Sequence, residues 1–346
     1  MVLAAIERGP GATELGRTTP APTRQRLSDA DLWLPGAGSP AAGVVLAPGF
    51  SELGRDDPRL LPLAESLARA GFAVRVPDLP GARRLTLDPA DTTTLRHAAR
   101  MEAAAGRRVA LAGISFAAAP ALLAAQDGAA ELVVTLGGFH AIEALATFAA
   151  TGAHRAPGET AWRREAPNRW AAGGFLLAVA EALPDARDRA LLRMAGTALM
   201  RDAGAPTGEL ARGLTPDGRA ALDLVAERDP ARIPSRLAAL PAPVRDALAA
   251  LDPSRATLAT CTLAIHGLED PVIPWTQSAA LAAALPEGRA TLVLVPGFGH
   301  VERAGVPMEG QMALLRAMRL LLGWRNGVNP CATTGSGVAN PAALPK

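Results

Sequence analysis

Residues 108–121 read RVALAGISFAAAPA, and the reading of the whole chain starts from them. Val109-Ala110-Leu111-Ala112 is a short apolar run, of a length that suits a buried strand. The run breaks at Gly113, places a hydroxyl at Ser115 and passes into a train of small residues suited to a helix. Strand, Gly-x-Ser-x-small, helix is the pattern of a nucleophile elbow, a sharp turn that lifts one side chain above the end of a sheet. The geometry dictates the residue types. Strand and helix pass close together on either side of the turn, so the positions two before and two after the serine must be small. Gly113 and Ala117 occupy them. Pro120 fits less well: it removes a backbone donor early in the following helix, and a distorted first turn is expected.

Outward from the elbow, strands and helices alternate. Residues 27–34 (LSDADLWL) suit an edge strand, and residues 43–47 (GVVLA) form a buried strand ending at Pro48-Gly49-Phe50. A helix is expected to open at Asp57-Pro58, with Asp57 as N-cap, and to close at Gly71. Residues 72–76 (FAVRV), a helix over 91–105, the elbow strand and residues 131–136 (ELVVTL) follow. This rhythm predicts an α/β fold, a doubly wound and mostly parallel sheet, with binding at the carboxyl ends of its strands. From 141 to 258 the chain offers helical runs and Pro/Gly breaks, too long a stretch for a loop. It predicts an inserted helical cap, in which Phe148, Trp162, Trp170 and Phe175 either line a pocket or fill a core. Strands resume at 259–265 (ATCTLAI) and 290–295 (ATLVLV), and a final amphipathic helix covers 310–324. The domain reading is a core of residues 27–140 and 259–325, a cap over 141–258, a loose arm over 1–26 and a disordered tail over 326–346.

Composition narrows the function classes. Apolar residues make up 49% of the chain, aromatic ones 3%, and tyrosine is missing, so the core must be built from Ala, Leu and Val. A net charge of +2 with the signs interspersed gives no basic patch for nucleic acid. Cys261 and Cys331 lie far apart without metal-ligand spacing, and read as thiols in a reducing compartment with no disulfide framework and no metal. The opening MVLAAIERGPG lacks an apolar run of signal-peptide length. No stretch approaches the roughly 18 apolar residues of a membrane span. A cytoplasmic protein is expected.

A serine hydroxyl is nearly inert at neutral pH and needs a base within hydrogen-bond reach, itself oriented by a carboxylate. After a strand–elbow–helix unit the expected chain order is Ser, then Asp or Glu, then His. Asp270 and His300 each follow an apolar strand, in that order, and so fall at the same sheet edge as Ser115. Glu269 is the alternative acid, but Asp270, followed by Pro271 and Pro274, better suits a fixed loop. His266 precedes the acid and belongs to a strand end. His97 falls on a surface helix, His140 just past a strand near the site, and His154 in the cap with no partner visible. Acyl transfer also develops negative charge on the former carbonyl oxygen, which two backbone N–H groups should meet. Phe116, after the nucleophile, supplies one; Phe50, after the 43–47 strand, supplies the other, with Ser51 as the fallback.

With these residues in place the chain resembles the α/β-hydrolase superfamily, in the neighbourhood of its esterase-like and dienelactone-hydrolase-like members. Pro48-Gly49-Phe50, Asp78-Leu79-Pro80-Gly81, Gly113–Ala117, His266-Gly267 with Asp270 and Pro274, and Gly299-His300 carry the resemblance. It covers the core and not the cap. It implies a serine hydrolase of carboxylic esters, with Ser115, His300 and Asp270 as triad, an acyl-enzyme intermediate, a small-molecule ester as partner and no cofactor. Three departures stand out. Pro48 replaces the usual His before the oxyanion Gly, Ala117 replaces the second elbow Gly, and Ser115 replaces the Cys of a true dienelactone hydrolase. Amide or peptide cleavage, acyl transfer, and a hydrolase fold used only for binding remain open alternatives.

Overall fold

The computed structural model describes residues 19–300 and 306–332. Its strands are β1 (Thr23–Arg26), β2 (Ala30–Leu34), β3 (Ala42–Ala47), β4 (Phe72–Pro77), β5 (Val109–Ile114), β6 (Leu132–Leu136), β7 (Ala153–His154), β8 (Arg163–Arg164), β9 (Cys261–Gly267) and β10 (Ala290–Val295). All but β7 and β8 join one eight-stranded sheet in the order β1-β2-β4-β3-β5-β6-β9-β10. β2 runs antiparallel to both β1 and β4, and every other pair is parallel.

The alternating side chains of each parallel strand feed two separate cores, as the period of two requires. On one face Val44, Leu46, Val134 and Leu263 pack against α1 (Leu61–Arg69) and a long C-terminal helix, Met308–Arg325. On the other face Val45, Leu111, Val133 and Ala264 meet a second group of helices. Three helices of this half are α2 (Pro80–Arg84), α3 (Ala90–Ala104) and α4 (Ala118–Ala124). The chain leaves β3 outward to β4, then crosses back to β5 and runs outward the other way. The β3/β5 pair, with Ala47 beside Gly113, is therefore the topological switch point, where open α/β sheets form their crevice.

Between β6 and β9 lie α5 (Ile142–Thr151), α6 (Arg169–Ala180), α7 (Ala186–Arg201), α8 (Gly208–Ala211), α9 (Pro216–Ala226), α10 (Ile233–Ala238) and α11 (Ala242–Ala250). They bury their own core around Phe175, Leu176, Leu192 and Leu224, reaching the sheet edge through Phe139 and Ile142. This is the stretch where the sequence predicts helices alone; it also contains the small antiparallel β7–β8 pair. Beyond it, α12 (Thr276–Ala284) follows β9, and α13 is the Met308–Arg325 helix already met.

Several sequence expectations are corrected. Within the arm expected over 1–26, residues 1–18 lie outside the described residues, while Thr23–Arg26 is an edge strand. Its polar TRQR pattern hides the strand; Arg24 and Arg26 hold it by pairing with Asp31 and Asp56. Of the tail expected over 326–346, residues 333–346 lie outside the described residues. Residues 326–332 instead turn back under the sheet, where Cys331 is disulfide-bonded to Cys261 across 70 residues. The two cysteines are thus not free thiols; distance along the chain says nothing about distance in the fold. The helix expected from Asp57-Pro58 starts at Leu61, and the Asp57 carboxylate caps the turn before it through the Arg59 N–H. Pro120 is accommodated by splitting its helix into a 3-10 turn, Ser115–Ala117, and α4. Its missing donor then falls in the first turn, where no intrahelical partner exists. Among the described residues no helix is long and apolar enough to cross a membrane.

Candidate active site

Ser115 directly follows β5 with φ 55°, a left-handed value that a residue bearing a Cβ rarely adopts. The strain is held from both sides. A Cβ at Gly113 would sit 2.5 Å from the Ala117 carbonyl oxygen and 2.6 Å from the Ala118 Cα, so strand and helix can cross here only over a glycine. Ala117, where the resemblance would place another glycine, is buried in the core with its methyl group accommodated.

The turn presents the Ser115 Oγ to His300 Nε2 at 2.8 Å. The opposite ring nitrogen, His300 Nδ1, lies 2.8 Å from Asp270 Oδ2. Asp270 is fixed by its other oxygen, which accepts from the Val272 and Ile273 N–H groups at 2.9 and 3.0 Å. Burial pushes the Asp270 carboxyl up, but hydrogen bonding from His266 and His300 outweighs it and holds the group well below the usual carboxylate range. An ionised Asp270 only accepts, so Nδ1 carries the hydrogen and Nε2 is free to accept from the Ser115 hydroxyl. Gly137, at φ 61°, closes the back of the site: a Cβ there would be 3.3 Å from Asp270 Oδ2 and 3.6 Å from His300 Nδ1.

The alternatives weighed from the sequence fall elsewhere. Glu269 turns away and accepts from the Gly297 N–H at 2.7 Å. His266 is fully buried; its Nε2 donates to the Ile273 carbonyl at 2.8 Å and its Nδ1 accepts from the Ser278 hydroxyl at 2.6 Å. It lies 3.5 Å from Asp270 Oδ2 and braces the acid's loop. His97 is exposed on α3. His154, without a visible partner in the sequence, pairs with Thr276 Oγ1 at 3.2 Å and with Glu165 at 3.3 Å. His140 follows Phe139 in the connection after β6; burial lowers its pKa, partly countered by the charge of Asp252. Two residues that carry no signal in the sequence are structural braces. Gln277 accepts from the His140 and Ala141 N–H groups through Oε1, fastening the start of the insertion to α12. Ser278 fixes His266.

Phe50 and Phe116 come together as a parallel stack, ring centroids 4.4 Å apart and planes within 1°. Phe139 meets Phe116 edge-on at 5.8 Å. The loops after β3 and β5 are thereby joined by aromatic contact beside Ser115. Ser51, the fallback donor, already gives its N–H to the Ala82 carbonyl, and its hydroxyl to Asp57 at 2.6 Å. The Phe116 N–H belongs to the first turn after the elbow, where helical donors lack intrahelical acceptors. Beside the stack is a cavity of about 20 Å³ bordered by Phe50, Phe116, Phe139, Leu87 and Asp91, with room for about one water. Burial raises the Asp91 pKa, although its carboxylate accepts from the Gly81 and Ala82 N–H groups. Among the described residues no cluster of three or more His, Cys, Asp or Glu side chains could hold a metal ion.

No family model matches the chain, and no curated protein matches it in sequence. Solved structures do. The esterase LipA of Xanthomonas oryzae, described as degrading rice cell wall, is 14% identical, with 86% of this chain and 85% of that chain covered and a TM-score of 0.52. Candida antarctica lipase A in its closed state is also 14% identical, over 92% of this chain and 80% of that one, with a TM-score of 0.52. At such identity the likeness is one of fold.

Proposed function

We propose that this chain, which has the α/β-hydrolase fold, is a serine hydrolase of carboxylic esters. The observation that carries the proposal is the unbroken line from Ser115 Oγ through the His300 ring to Asp270, with 2.8 Å at each contact. Ser115 Oγ bonds to the acyl carbon while its proton passes to His300 Nε2. The imidazolium, paired with Asp270, returns the proton to the departing alkoxide, and an alcohol leaves. Water then attacks the acyl-enzyme, losing its proton to His300, and the carboxylic acid is released with Ser115 restored. The Phe50 and Phe116 N–H groups receive the oxyanion, in comparable sites a contribution of about 2.7–4 kcal/mol per donor. Their stacked rings support that role by tying together the two loops that carry the donors.

The helical insertion over residues 141–258 acts as the cap over the site, anchored at its entry by Gln277. The Cys261–Cys331 bond favours a compartment that preserves disulfides over the cytoplasm expected from the sequence. The experiment is covalent labelling with a fluorophosphonate probe, followed by a panel of ester and amide substrates. Labelling at Ser115 with ester turnover is expected. A folded protein that never labels refutes the proposal; labelling with amide turnover alone moves it to an amidase.

A further inference from the structure

We propose that the apolar cavity between the sheet and helices α1 and α13 receives a hydrocarbon chain, and that this chain is the acyl arm of the ester cleaved at Ser115. The inference rests on the hydrolase reading and names its substrate class. The cavity measures about 110 Å³, against about 20 Å³ for the space beside the Phe50–Phe116 stack. The smaller space has room for about one water.

Three wall residues of the larger cavity stand next to site residues along the chain, at the carboxyl ends of the strands. Ile114, in its wall, directly precedes Ser115; Phe298 lies two residues before His300. Leu136 precedes Gly137, whose backbone lies against His300 and Asp270. All the lining residues are apolar. A polar or charged acyl group placed there would lose its hydrogen bonds to water without replacement, whereas a hydrocarbon chain would bury apolar surface on every side.

The void also contradicts ordinary packing. Protein interiors close to crystal-like density and keep few holes larger than a water. Here Ala112, Ile114, Leu136 and Ile265 stay half-buried although each faces a helical layer. Two of the lining positions, Ala112 on β5 and Ala317 on α13, offer only methyl groups where a larger side chain would fill the space. A site for a removable chain accounts for both the small residues and the unfilled volume.

The test compares kcat/KM of the full chain for para-nitrophenyl acetate and octanoate, and measures octanoic acid binding by calorimetry. Wild type is expected to favour octanoate and to bind octanoic acid. Ala317→Phe, which fills the cavity from α13, is expected to lower the octanoate-to-acetate ratio roughly tenfold or more, the scale on which a hydrophobic pocket discriminates, and to abolish octanoic acid binding. If Ala317→Phe fails to fold, Met318→Ala widens the same space and is expected to move the preference toward dodecanoate. An unchanged ratio or unchanged preference overturns the proposal. Octanoic acid binding that Ala317→Phe removes, with the ester ratio unaltered, also overturns it and makes the cavity a separate lipid site. Failure of the hydrolase reading itself is distinct: Ser115 then reacts with neither ester nor fluorophosphonate, whatever the calorimetry shows.

Discussion

The two ends of the sheet use their polar groups in opposite ways. At the carboxyl end, Ser115, His300 and Asp270 are hydrogen-bonded in line, and the proposed function requires the hydroxyl to lose its proton, the imidazole to take it and the carboxylate to accept throughout. The His300 side chain keeps 13% of its surface exposed. At the amino end, Glu102 is fully buried with both oxygens engaged, one by Arg75 Nε and the other by Arg107 Nε, each at 2.8 Å. Beside that end, Cys261 at the start of β9 is bonded to Cys331, and Thr291 Oγ1 donates to the Pro330 carbonyl. Chemistry needs groups free to change protonation and partner; stability needs groups that are not. The fold places the first kind at the carboxyl ends of the strands, braced there by fixed groups such as His266, and holds Glu102 and the disulfide at the amino ends.

If this division holds, changes at the carboxyl end should remove activity and leave the fold. Ser115→Ala is expected to lower kcat by about 10⁶-fold, the scale seen when a triad serine is removed elsewhere, with an unchanged circular dichroism spectrum. Asp270→Asn should cost about 10⁴-fold, because an amide holds His300 in the wrong tautomer. Loss of folding in both variants, read by the melting transition, would break the comparison.

Changes at the amino end should do the reverse. Replacing Cys261 and Cys331 by alanine opens a 70-residue link. On chain-entropy grounds this costs about 4 kcal/mol of stability, read as a lower urea midpoint. Glu102→Gln leaves two guanidinium groups with a neutral partner in a buried site and should cost about 3 kcal/mol. In both variants the fluorophosphonate labelling rate per folded molecule is expected to match wild type. A labelling rate that falls in step with the urea midpoint would mean that the two ends are coupled.

The same division explains what the sequence could and could not reveal. Strands β3, β5, β6, β9 and β10 are legible because apolar runs, bounded by Gly and Pro, specify buried parallel strands by themselves. Ser115, Asp270 and His300 could be picked out because each follows such a run in the expected order, and the fold brings them within hydrogen-bond distance. Groups at the amino end gave no comparable signal. Glu102 sits on a helix with an ordinary charged pattern, and only the approach of Arg75 from β4 makes it a buried network. Cys261 and Cys331 are paired by the return of the chain after α13. The β1 strand was hidden for a related reason: TRQR carries no apolar face, and its partners Asp31 and Asp56 lie in later elements. Each motif-bearing group is marked by its own sequence neighbours, although the fold must still bring the groups together; pairing groups carry no such mark.

The smallest expected effect sharpens the comparison, because it concerns an ion pair on the active-site side. Asp57, in the loop that follows β3 and carries Phe50, binds Arg59 and accepts from the Ser51 hydroxyl at 2.6 Å. The Arg59 guanidinium, with the Ser51 contact, outweighs burial and lowers the Asp57 pKa to about 2. A carboxyl whose folded pKa is depressed contributes stability that is complete above its unfolded value, near 3.9 for aspartate, and is lost as pH falls through the folded one. The window is therefore roughly pH 4 to 2. Arg59 keeps 62% of its side-chain surface in solvent, so screening holds the contribution below about 1 kcal/mol. Urea midpoints of wild type and Asp57→Asn at about pH 5, 3 and 2 (above, within and at the foot of that window) should differ slightly at the first and nearly converge at the last. A difference as large as that of Glu102→Gln would place a buried-type pair at the reactive end and undo the separation of roles. A difference that persists undiminished at the lowest pH would show that the Asp57 contacts act by packing and not by charge.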